Sequence, residues 1–185
     1  MNRLAVVFAV LAAILFPFSA QATLVKPVDV ETLARRADVI VRGTTKATAA
    51  SLTEDGRQIQ TVAKVTVGSV LKGEAMSEFE VRTPGGTIGD ITQVVHGAPQ
   101  FVEGQEVILF LHRVSERRFT IEGFAQGKYE VVKGSDGVAR VAQDLRGIGI
   151  LGPDGAVRPG TKVEPVPERD LLARVRRALE GAVAP

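Results

Sequence analysis

From Val30 the apolar positions recur at i, i+3, i+4 and i+7 as Val30, Leu33, Ala34 and Ala37, with Glu31, Arg35 and Arg36 between them. That spacing lays one apolar stripe along a short helix, predicted over 29–37. Asp29 stands where an N-cap carboxylate accepts from the free amides of the first turn. Two turns are marginal alone, so the helix has to pack on something larger. At Val39 the period changes to two: Val39, Val41, Gly43, Thr45 and Ala47 share one side and Ile40, Arg42, Thr44, Lys46 and Thr48 the other. Gly43 has no Cβ to pack and marks a bulge or bend in this long strand. The turn residues Glu54, Asp55 and Gly56 lead to a second alternating run, Ile59 to Val67, closed by Val70 to Gly73. Phe79 and Val81 then face one way and Glu78, Glu80 and Arg82 the other, which completes a three-stranded meander.

Thr83, Pro84, Gly85 and Gly86 end the third strand, because proline cannot donate to a ladder and glycine admits positive φ. An irregular stretch follows, with Ile91 to His96 as a short edge strand. The central strand is expected at Glu106 to His112. Its five uninterrupted apolar residues, Val107 to Leu111, imply burial on both faces. Strands at Phe119 to Phe124 and Lys128 to Val132 are joined by Ala125, Gln126 and Gly127, and a turn at Ser135 to Gly137 leads into Val138 to Val141. Strands therefore fill 38–141. Glycine and proline make 142–166 a predicted loop, and a helix is expected over 167–180 with Pro167 at its first position. Its stripe is Leu171, Leu172, Val175, Ala178 and Leu179. Arg169, Arg174, Arg176 and Arg177 oppose the stripe. Docking on the chain's own core is the expectation, and a helix lying on a membrane surface is the other reading.

The 185 residues suffice for one domain with a core of its own, 23–185, and with no cysteine that core must hold by packing alone. Residues 1–22 have the pattern of a secretory signal peptide: Arg3, an apolar run from Leu4 to Phe16, and Ala20-Gln21-Ala22 before a cleavage point between Ala22 and Thr23. The run breaks at Pro17, short of the roughly 20 residues that span a bilayer. A cysteine-free exported chain fits a bacterial periplasm or culture medium. Removing Arg3 and no acid lowers the formal charge from +2 to +1. Such a balance gives no basis for phosphate-driven nucleic-acid binding.

Several landmarks together resemble a family of uncharacterised secreted bacterial proteins. They are Ala37 to Gly43, Val70 to Gly73, Thr83 to Gly86, Gly97 to Gln105, and Gln126 to Tyr129. The similarity spans about Val28 to Val132. Strand order and landmarks are also similar to the netrin-like module of tissue inhibitors of metalloproteinases. That resemblance implies a mainly β fold, an OB-like small antiparallel barrel with a short N-terminal helix and a C-terminal amphipathic helix. Those inhibitors chelate a protease's zinc through an amino-terminal cysteine. A chain starting at Thr23 without cysteine departs from that mechanism.

The remaining motifs match by letter and differ in geometry from the sites they would form. Gly147 to Gly152 fits G-x-G-x-x-G, but Pro153-Asp154-Gly155 makes a turn where a dinucleotide site needs a helix. Ser69 and Lys72 match Ser-x-x-Lys, yet on a strand they face opposite sides. His96 and His112 are the two histidines, with Glu103 or Glu106 as conceivable co-ligands; no clustered spacing supports a metal. No cofactor, metal or catalytic residue is expected. The expected binding surface is Thr83, Pro84, Gly85, Gly86, Gly97, Pro99 and Phe101, with Gln126 and Lys128 beside it, since long loops on a rigid barrel usually carry binding sites. The expectation is a non-catalytic exported module whose partner is another exported protein. An inhibitor of an extracellular or periplasmic hydrolase is the alternative, and an enzyme with an unrecognised site the third reading.

Overall fold

The computed structural model describes residues 23–74 and 76–181. The expected signal peptide, 1–22, lies outside the described residues. Along the chain run β1 (Thr23–Val25), α1 (Val30–Arg36), β2 (Val39–Leu52), β3 (Ile59–Lys72), β4 (Glu78–Pro84), β5 (Gly86–Ile88), β6 (Ile91–Gln93), β7 (Glu106–Ser115) and β8 (Arg118–Ile121). After a 3-10 turn, Phe124–Gly127, come β9 (Lys128–Lys133), β10 (Ala139–Ala142), β11 (Ile148–Leu151), β12 (Val157–Pro159), β13 (Val166–Pro167) and α2 (Glu168–Glu180).

Five strands close on themselves in the order β2-β3-β4-β8-β7 and back to β2. All neighbours are antiparallel except β4 and β8, which pair in parallel at Glu80 with Arg118 and Val81 with Phe119. This is a small OB-like barrel. At Gly43 the pairing of β2 with β3 shifts register, and a Cβ there would lie 2.6 Å from the Thr66 carbonyl oxygen. Only glycine permits the tight bend that carries β2 around the barrel.

The doubly buried run of β7 separates two cores. Val107, Leu109 and Leu111 fill the barrel interior with Val39, Val41, Val65, Val81 and Phe119. Ile108 and Phe110 face outward with Ile40, Tyr129 and Val131, under the stripes of α1 and α2. Burying each such side chain contributes roughly 1.5–3 kcal/mol. Inside the barrel Phe79 and Phe119 meet edge to face, ring centres 5.3 Å apart. The Asp29 cap forms as expected, its Oδ1 accepting from the Thr32 amide at 2.6 Å. At the other end of α1, the Lys72 ammonium donates to the carbonyls of Ala34, Arg35 and Ala37 at 2.9, 2.9 and 2.6 Å. The carbonyls left over at a helix C-terminus thus gain a cation. Leu171, Val175 and Ala178 of α2 are buried against the outer core, and Arg174 makes a bidentate pair with Glu31 of α1 at 2.8 and 2.7 Å. Among the described residues no helix is long and apolar enough to cross a membrane.

Residues 142–166 are mostly loop, as expected, but short strands interrupt it: β11 and β12 join β1 in a three-stranded sheet, and β13 pairs with β10. Three expectations need correction. Pro167 is the N-cap of α2 rather than its first helical residue, because it is still paired with Arg140. Ile91 to His96 is not an edge strand of the main sheet; Ile91–Gln93 folds back on β5 as a separate hairpin. The strand from Phe119 stops at Ile121, since Phe124 enters the 3-10 turn with φ 60°.

Candidate functional site

The outer edge of β7 is shared between two strands. β8 pairs with its second half and β9 with its first, Val107 facing Glu130 and Leu109 facing Lys128. Between them, residues 122–127 bulge away from the sheet. The bulge holds Phe124 in the left-handed region, which is uncommon for a residue other than glycine. Gln126, buried within it, accepts from the Val28 amide at 2.8 Å and donates to the Lys26 carbonyl at 3.0 Å. It fastens the N-terminal segment to the bulge. Lys128 follows two residues later and turns its side chain inward.

Lys128 lines a cleft of about 360 Å³. One wall is the 94–100 loop, with Val94, Val95, Gly97 and Pro99. The other carries Lys128, Glu130, Asp144 and Arg146. Gly97 seats the loop: its φ is 73°, and a Cβ would fall 2.0 Å from Ile148 Cγ2 of β11. No other residue fits there. A second hollow of about 330 Å³, lined by Pro84, Gly85, Gly86 and Thr87, adjoins the cleft and shares Val94, Val95 and Gln100 with it. The hairpin of β5 and β6 stands beside this hollow. Its cross-strand pair Ile88 and Ile91 is 37% and 70% exposed, and Val94 is 70% exposed.

Charge in the cleft is paired in a defined way. Lys128 is 5% exposed; its Nζ donates to Glu130 Oε1 at 2.9 Å and lies 5.4 Å from the centre of the Phe101 ring. Burial pushes the Lys128 pKa below the usual lysine value, against the opposing pull of Glu130. For Glu130, burial acts upward, but hydrogen bonds from Lys128 and Gln105 and the charge of Lys162 hold it below the usual carboxylate value. Lys162 Nζ stands 3.6 Å from Glu130 Oε2. Asp144 accepts from Arg146 Nε at 2.9 Å and Nη2 at 2.5 Å, which depresses its pKa to about 2.

No protein-family model matches the chain, and no curated protein matches it.

Of the residues expected at a binding surface, Pro84, Gly85 and Gly86 line the second hollow, and Gly97, Pro99 and Lys128 line the cleft. Thr83, Phe101 and Gln126 are buried, the first two inside the barrel or against its core, and their side chains are not offered to a partner. The loops at 83–89 and 97–104 do meet. Glu130, Asp144 and Arg146 were not anticipated. Lys128 and Glu130 sit two apart on a strand, a spacing that puts both on one face; Asp144 depends on a segment read as loop. His96 lies at the cleft rim, whereas His112 Nδ1 is 2.9 Å from Oδ2 of Asp38, in the connection between α1 and β2. Among the described residues no three histidine or carboxylate side chains converge as a metal set. Gly147 to Gly152 runs through β11 into a turn, Gly155 N donating to the Gly152 carbonyl at 3.0 Å, so no helix end faces a pyrophosphate there.

Proposed function

We propose that this chain is an exported, non-catalytic binding module with a cleaved signal peptide at 1–22, and that it engages another exported protein through the loops at the cleft. The observation that carries this reading is the continuity of three features. An exposed apolar hairpin tip, Ile88 and Ile91, leads through Val94 into a hollow and then into a cleft holding a buried ion pair. Contiguous exposed apolar surface beside a preformed polar recess is how a protein recognition site is commonly built. The OB-like barrel supplies the rigid frame, and the netrin-like kinship suggested by the landmarks is compatible with it. Catalysis has less support: Glu130 and Asp144, the carboxylates of the cleft, are each engaged by a cation, which leaves neither as a free acid or base.

The test is affinity capture from periplasm and culture medium with residues 23–185, run beside an Ile91→Asp variant. Any recovered protein is purified and its affinity for both forms measured. One partner bound at least tenfold more weakly by the variant supports the reading, and a hydrolase as that partner would select the inhibitor form of it. Equal affinity, or no partner for either form, contradicts it.

A further inference from the structure

We infer that the cleft takes a carboxylate carried on an apolar residue, with the Lys128 ammonium as its anchor; this deepens the reading above and rests on it. A lysine ammonium has three N–H donors. One is given to Glu130, and the charge lies against the Phe101 ring. Among the described residues no other acceptor takes the remaining two. Lys128 is 5% exposed and lines the cleft. Leaving the donors of an enclosed charge unused is costly, and proteins seldom do it without a water, ion or ligand in reach.

The charge balance selects the ligand. Within the lining Lys128 and Arg146 balance Glu130 and Asp144, and Lys162, outside the lining but 3.6 Å from Glu130, adds one positive charge to the network. A single carboxylate neutralises it, whereas a phosphate dianion overshoots. Val94, Val95, Ala98 and Pro99 give the facing wall an apolar surface. A recess of about 360 Å³ is at the small end of ligand sites and suits a terminal residue rather than a long segment. The carboxylate can come from the C-terminus of a peptide or from a free branched-chain acid.

Titration calorimetry on residues 23–185 separates these cases with four probes: an N-acetylated tripeptide ending in leucine with a free carboxylate, its C-terminal amide, 4-methylpentanoate, and inorganic phosphate. Binding of the acid peptide, at least tenfold weaker binding of the amide, and none of phosphate is the expected result. Equal binding of 4-methylpentanoate and the acid peptide supports the inference with a small acid as the source. Acid and amide binding alike overturns the carboxylate assignment and leaves the binding-module reading standing. Binding of none of the four overturns it too, while the module reading is judged separately by the Ile91→Asp capture. Lys128→Met should abolish binding of the acid peptide. Because that change also removes a partner of Glu130, the companion is Arg146→Gln at the exposed rim, expected to weaken the acid peptide several-fold. Unchanged affinity in a folded Arg146→Gln protein together with unchanged affinity in Lys128→Met overturns the inference.

Discussion

Two lysines turn their ammonium groups into this protein, and they are treated differently. Lys72, half-buried at the end of β3, gives its donors to three backbone carbonyls at the end of α1. Lys128, more deeply buried at the start of β9, has one carboxylate and an aromatic face. The first arrangement is complete: it ties a helix to the barrel and leaves nothing for a ligand. The second is unfinished within the chain, and it borders the charged cleft. Completeness of hydrogen bonding thus distinguishes a lysine that holds the fold from one available for binding.

The largest effect that would sharpen this contrast is on stability. Lys72→Met leaves three carbonyls without their cation, and hydrogen bonds to charged groups count for about 1.5–3 kcal/mol. We expect a loss of about 2–3 kcal/mol in urea unfolding, within that range. A change below about 0.5 kcal/mol, the level of an ordinary surface substitution, would break the comparison from the Lys72 side. At the other lysine the expectation reverses. The double change Lys128→Met with Glu130→Gln removes both charges of an enclosed pair, and such replacements are often neutral or stabilising. Stability within about 1 kcal/mol of the parent, or above it, is expected there; a loss as large as that of Lys72→Met would mean the pair is structural.

pH separates the two further. The Lys128 pKa is lower in the folded protein than the ordinary 10.5, so between its folded value and 10.5 the unfolded chain binds more protons. Stability should therefore rise with pH across that window. The difference between parent and Lys128→Met isolates this slope from Tyr129, whose phenol is raised to about 12 by burial and acts in the opposite direction above pH 10. Parallel pH profiles for the two proteins would contradict the assignment. On the acid side Asp144, ordinarily 3.8 and about 2 when folded, contributes stability present above about pH 4 and lost as pH falls through 2. Arg146→Gln should flatten that loss. The pair is largely exposed, and the smallest effect expected is its neutral-pH stability, unchanged within about 0.5 kcal/mol.

Much of the frame was legible along the chain because it depends on local period. The stripe of α1, the Asp29 cap, the alternation of β2 to β4, the bend at Gly43 and the doubly buried Val107 to Leu111 each follow from neighbours within a few residues. The sheet of β1, β11 and β12 was not. Its strands are three or four residues long and include Gly149 and Pro159, and β1 finds its parallel partner more than a hundred residues away. The loops at 83–89 and 97–104 were recognisable from glycine and proline. What they enclose was not, because the Lys128 and Glu130 wall is completed by Asp144 and Arg146, brought in from a stretch with no periodic signal. The landmarks around Lys72 and Gln126 gain a physical meaning only from the contacts: one caps a helix and the other fastens residues 26 to 28. Lys128 stands in the same run as Gln126 without such a structural task.

The most direct measurement is the ¹⁵N-detected resonance of the lysine side-chain ammonium groups, followed by NMR as the acid peptide is added. The Lys72 ammonium should be protected from solvent exchange at the outset and unmoved. Lys128 should shift and exchange more slowly in proportion to the bound fraction, and the amide peptide should leave it unchanged. If the acid peptide binds while the Lys128 resonance stays as it was, the ammonium is not the anchor and the central claim is wrong.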